Sequence, residues 1–112
     1  MNADEMKDLT LKFLDDLKGK NIVALDVRGM TDVTDYMVIC TGTSNRHVKS
    51  LADNVALQLK KLGYPALGIE GMDQSADWVL VDFGQVVVHV MLPVTRDFYD
   101  LERLWSIPAT PA

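Results

Sequence analysis

Residues 78–91, which read Trp-Val-Leu-Val-Asp-Phe-Gly-Gln-Val-Val-Val-His-Val-Met, constrain the fold more tightly than any other stretch. Trp78 to Phe83 and Val86 to Met91 are β-rich runs, and a glycine leading the pair Gly84-Gln85 suits a two-residue hairpin turn of type II′. Such a turn fixes the register. Phe83 lies opposite Val86, Asp82 opposite Val87, Val81 opposite Val88, Leu80 opposite His89, Val79 opposite Val90 and Trp78 opposite Met91. Because side chains alternate along a strand, Val79, Val81, Phe83, Val86, Val88 and Val90 share one apolar, mostly β-branched face, which is a core face. The opposite face carries Trp78, Leu80, Asp82, Val87, His89 and Met91, large apolar groups mixed with an acid and an imidazole.

An isolated hairpin is not stable, so the rest of the chain must build a sheet and its cover. From Asp4 to Lys18, Met6, Leu9, Phe13, Leu14 and Leu17 form the stripe of a one-sided helix, with Gly19 as its stop. Asn21 to Val27 reads as a strand and Arg28 to Asp35 as a polar loop. Tyr36 to Thr41 is a second strand, whose unbroken apolar run implies burial on both sides or a central place in the sheet. After Thr41-Gly42-Thr43-Ser44, residues Val48, Leu51, Ala52, Val55, Ala56, Leu59 and Leu62 fall on one face of a second helix, and Gly63 supplies a left-handed stop. Ala66 to Glu70 is a third strand, so strand, helix and strand are expected to make a right-handed parallel crossover. Beyond the hairpin Pro93 ends the last strand, Thr95 can cap a helix, and Phe98, Leu101, Leu104 and Trp105 follow with helical spacing to close the domain.

The expected fold class is therefore α+β, a mixed α/β arrangement in one domain over residues 1–105, with a five-stranded mixed sheet and three main helices. Residues 106–112, with two Pro and two Ala, read as a flexible tail. Three amphipathic helices cover one side of such a sheet, which leaves the Trp78 face without internal cover. A Trp, a Leu and a Met side by side, rimmed by charge, have the make-up of a protein interface with an aromatic anchor. Two alternatives stand beside this reading: the N-terminal helix folded across the face, or a homodimer using the same patch.

At 112 residues and 48% hydrophobic content the chain has room for one core. Its longest apolar stretches, Val86 to Val88 and Tyr36 to Cys40, are far too short to cross a bilayer, and the acidic start Met1-Asn2-Ala3-Asp4-Glu5 lacks a secretory signal. A cytoplasmic location is expected, where the single Cys40 is a buried, reduced thiol. A formal net charge of −5 speaks against direct nucleic-acid binding, which draws on Lys and Arg, and favours a basic protein partner.

Catalytic chemistry finds little purchase. Thr41-Gly42-Thr43-Ser44 lies between strand and helix, where a phosphate could sit, but it lacks the Gly-Lys-Ser/Thr ending of a P-loop and the spaced glycines of a dinucleotide fingerprint. A helix N-cap accounts for it better. A nucleotidyltransferase would add a closely spaced pair of acids on a neighbouring strand. Here Asp77 and Asp82 are separated by four residues and point to opposite faces, while Asp26 and Asp35 sit at the two ends of a loop. His47 and His89 lack metal-ligand spacing, and no cofactor or metal is expected.

From Asp16 onward the chain resembles the ribosomal silencing factor (Iojap-like) family. The segments that carry the likeness are Asp15 to Gly19, Ala24 to Val27, Thr34-Asp35-Tyr36, Cys40 to Ser44 with Arg46-His47-Val48, and Gly68 to Gly71. Further on come Ser75 to Trp78, Val81 to Gly84, Val88 to Met91, Arg96, and Tyr99 to Trp105. The resemblance implies a degenerate nucleotidyltransferase-like fold without activity, bound to the large ribosomal subunit through ribosomal protein fourteen. It further implies steric hindrance of subunit joining, hence translational repression when nutrients are scarce. Trp78 matches the family's interface tryptophan, with Asp77, Leu80, Asp82, His89 and Met91 as expected neighbours at the partner-binding site. The competing class is a nucleotidyltransferase-like nucleotide-binding enzyme acting at Gly42 to Ser44.

Overall fold

The fold is known from a computed structural model that describes residues 1–73 and 75–106, the last of these by its backbone alone. Asn2 opens helix α1 (Ala3–Asp16) by accepting the Glu5 N–H on its side chain at 2.8 Å. The helix closes in a Schellman motif: Lys18 N–H donates to the Asp15 carbonyl and Gly19 N–H to that of Leu14, both at 2.9 Å. The left-handed seat is held by Lys18 (φ 62°), so Gly19 is not the stop. Gly19 is needed for room, since a Cβ there would stand 2.5 Å from Cys40 Sγ and 3.0 Å from the Leu14 carbonyl oxygen.

Strands β1 (Lys20–Asp26) and β2 (Tyr36–Thr41) pair antiparallel, with an irregularity between Lys20 and Val23. All six residues of β2 are buried, as its apolar run implies. Ser44 caps α2 (Asn45–Lys61) by accepting the His47 N–H at 3.1 Å, and Gly63 (φ +95°) follows its last turn. Three short strands complete the sheet: β3 (Gly68–Glu70), β4 (Trp78–Asp82) and β5 (Val86–Met91).

The hairpin register is the expected one from Trp78↔Met91 through Asp82↔Val87, and Phe83 N–H donates to the Val86 carbonyl at 2.9 Å. Gly84 has φ +85° while Gln85 is not in the left-handed region, which is the type II′ signature. Strand order is β1-β2-β5-β4-β3, so the parallel neighbours are β2 and β5. The expected crossover from β2 through α2 to β3 does join parallel strands, since β3 is antiparallel to β4, β4 to β5, and β5 parallel to β2, but it passes over β5 and β4 to place β3 at the far edge. Burial explains the order. Strand β5, with five of six residues buried, takes a place beside β2, whereas the three residues of β3 are all exposed and suit an edge.

The main core lies where α1 and α2 cover the sheet, with Met6, Leu14, Val48, Leu51, Val55 and Leu59 packed on Val79, Val81, Val86, Val88 and Val90. The C-terminal helix is two short ones. Pro93 opens α3 (Pro93–Tyr99) behind Leu92, which makes no side-chain cap bond, so Thr95 lies inside the helix instead of capping it. Asp100, left-handed at φ 48° and ψ 51°, then turns the chain into α4 (Leu101–Ser106). The rest of the expected tail, 107–112, falls outside the described residues.

Candidate functional site on the second face of the sheet

The face opposite α1 and α2 carries a second, smaller cluster of Val27, Met37, Ile39 and Met91, with Leu25, Trp78, Leu101 and Trp105 packed against it. The N-terminal helix does not cross this face, since Met6 and Leu14 belong to the main core. Nor is the face bare. Helix α4 lays Leu101 and Trp105 on it, because the left-handed Asp100 folds the chain back under the sheet. The cover is only six residues long.

The expected site residues divide by depth. Met91 is fully buried and His89 is only 6% exposed, so neither offers a contact surface. Trp78, Leu80 and Asp82 are half-buried, and Asp77 is exposed. The indole Nε1–H of Trp78 donates to His89 Nδ1 at 2.9 Å, which places the imidazole proton on Nε2. Burial pushes the His89 pKa down to about 4, so the ring is a neutral support beneath the indole. Trp78 also lies against Tyr99 of α3, with ring centroids 4.8 Å apart.

The acids are partly committed to structure. Asp82 Oδ1 accepts the Gly84 N–H at 2.8 Å and steadies the hairpin turn. Asp77 Oδ1 accepts from Asn45 Nδ2 at 3.0 Å at the start of α2. Beside Leu80 opens a mainly apolar cleft of about 310 Å³, walled by Met37, Asp82, Val87, Trp105 and the loop residues Thr31, Val33 and Thr34. Val33, at 82% exposure, stands at its rim.

The other candidate centres are knit into the fold. At the turn before α2, Thr43 N–H donates to His47 Nδ1 at 2.9 Å, and His47 Nε2–H donates to the Leu17 carbonyl at 2.9 Å. The Gly42, Thr43 and His47 N–H groups, three of the donors that a phosphate there would meet, are already bonded. Asp26 is gripped by Arg28 at 2.7 Å, which lowers its pKa to about 2. Cys40 is buried, and loss of solvation raises its pKa to about 11, far from a reactive thiolate. Among the described residues no group of three His, Cys, Asp or Glu is placed to hold a metal ion. No helix among them is long and apolar enough to cross a membrane.

The model of the family described as "Ribosomal silencing factor during starvation" matches residues 1–111. The chain belongs to that family. The likeness includes α1 as well as the chain from Asp16 onward. "Ribosomal silencing factor RsfS" of Chromobacterium violaceum is 49% identical over 106 residues, covering 95% of this chain and 86% of that one. "Mitochondrial assembly of ribosomal large subunit protein 1" of Mus musculus is 38% identical over 103 residues, covering 89% of this chain and 45% of the mouse protein. An X-ray crystal structure of a Chromobacterium violaceum protein superposes with a TM-score of 0.92 at 46% identity, covering all of this chain and 92% of that one.

Sequence reasoning missed Tyr99, Trp105 and Val33 as parts of this face. It also assigned Phe98 and Leu104 to closing the domain, whereas they are 79% and 69% exposed. The available signal was Asp100, a residue type that enters the left-handed region more readily than most. A break there rotates everything after it off the stripe that Phe98 seemed to begin.

Proposed function

We propose that this protein is a non-enzymatic cytoplasmic silencing factor that docks on the large ribosomal subunit, through ribosomal protein fourteen, and blocks joining of the small subunit. The observation that carries the reading is the half-buried Trp78 beside Leu80 and an apolar cleft, on a sheet face covered in part by Tyr99 of α3 and by the short helix α4. An aromatic anchor next to a pocket is how interface hot spots are built. The net charge of −5 suits a basic ribosomal protein and opposes direct binding to RNA phosphates. Chemistry is not required: a body 43 by 34 by 22 Å excludes a second subunit by volume alone.

In this reading Trp78 and Leu80 make the contact, Asp82 faces Lys or Arg of the partner, and His89 and Met91 hold the indole from beneath. Co-sedimentation with purified large subunits tests the proposal. Trp78→Ala should cost on the order of 2 kcal/mol, roughly a thirtyfold loss of affinity, with the fold verified by circular dichroism. Equal binding by folded Trp78→Ala and wild-type protein would remove the role given to this face.

A further inference from the structure

We infer that the docking surface does not stop at the hairpin but runs onto α3, where Phe98 is a second anchor for a basic protein partner. This rests on the docking function proposed above. Phe98 is 79% exposed, Val94 one turn earlier is 72% exposed and Tyr99 is 53% exposed, all on a helix of seven residues. A lone apolar side chain on a surface is ordinary, but three on one short helix form a patch. The patch is continuous with the Trp78 site. The rings of His89, Trp78, Tyr99 and Phe98 follow one another at centroid distances of 5.8, 4.8 and 5.0 Å, from a buried imidazole to a phenyl group in water. Among the described residues Phe98 belongs to neither hydrophobic cluster.

Charge identifies the occupant. Asp97 and Asp100 flank the aromatic pair in sequence and are exposed. The one cation of α3, Arg96, is turned inward, with its Nε on Glu102 at 2.6 Å, which leaves Arg103 on α4 as the exposed base of this segment. An aromatic face bordered by carboxylates fits a Lys or Arg side chain, whose aliphatic stem lies on the ring while its charge meets the acids. A basic folded protein supplies such side chains. A second copy of this chain, itself acidic, does so poorly.

The test measures affinity of the full chain for purified large ribosomal subunits. Phe98→Ala is expected to weaken binding on the order of tenfold with no change in thermal midpoint, because the side chain is outside both clusters, and Phe98→Tyr to bind as wild type. Asp97→Lys is expected to weaken binding further, and tighter binding by that variant would overturn the choice of a basic partner. Wild-type affinity for Phe98→Ala alongside impaired Trp78→Ala would sink the second anchor and leave the hairpin site standing. Dissociation of a homodimer by Phe98→Ala without loss of ribosome binding would likewise overturn it, in favour of a contact between copies. Should wild-type protein fail to bind large subunits at all, both readings fall together.

Discussion

His89 and Trp78 act as one unit, because a buried imidazole must find a partner and the indole Nε1–H supplies it at 2.9 Å. The sign of the resulting pH dependence follows from burial. The folded pKa of about 4 lies below the ordinary 6.5, so the unfolded chain takes up the proton first as pH falls. Stability from this group is complete above the unfolded pKa, declines between about pH 6.5 and 4, and is lost below that. The loss at pH 5 is about 2 kcal/mol. Urea midpoints at pH 7.5 and pH 5 measure it, with His89→Gln as the control, since the Gln carbonyl can still accept from the indole but does not titrate. Equal pH dependence in the two proteins would show that His89 is not the group responsible.

At the scale of elements, the end of α1 reverses the usual assignment of roles to a Lys-Gly pair. Lys18 carries the left-handed conformation and Gly19 the close approach, so the two positions should respond oppositely to substitution. Lys18→Gly should raise stability by about 0.5–1 kcal/mol through relief of the left-handed strain. Gly19→Ala should lower it by about 1–3 kcal/mol, since the methyl meets Cys40 Sγ and the Leu14 carbonyl. A neutral Gly19→Ala in urea denaturation would contradict the packing assigned to it. Elements governed by local chemistry were legible in the sequence: the hairpin register from Gly84, the cap at Ser44, the stop at Gly63 and the two-sided burial of Tyr36 to Thr41. Strand order was not, because the place beside β2 goes to whichever strand is buried on both faces, a competition between distant segments that no window displays. For the site, the hairpin's share of the Trp78 face was readable from alternation alone. Its depth was not, since Met91 is buried in a cluster with Leu101 and Trp105 of α4, whose path depends on the dihedral angles of Asp100.

The two sides of the molecule are held by different means. On one side α1 and α2 bury a broad apolar core, while on the other α4 contributes Leu101 and Trp105 and is tied to α3 by Arg96. That guanidinium joins three elements: it sits on α3, donates from Nη1 to Thr41 Oγ1 of β2 at 2.8 Å, and pairs through Nε with Glu102 of α4 at 2.6 Å. Removing it costs more than an ordinary ion pair, because Thr41 is only 4% exposed and its hydroxyl would lose its partner, whereas Glu102 can turn to water. Arg96→Ala should therefore lower global stability by about 2–4 kcal/mol. Glu102→Gln keeps the Thr41 bond and weakens only the tie to α4, so its effect should be local. Amide hydrogen exchange separates the two: in Glu102→Gln the amides of α4 should exchange faster while those of β2 and β5 keep wild-type protection, because α4 opens without the sheet. Uniform acceleration across sheet and helix would mean that α4 is part of the cooperative core and not a separable cover over Trp78.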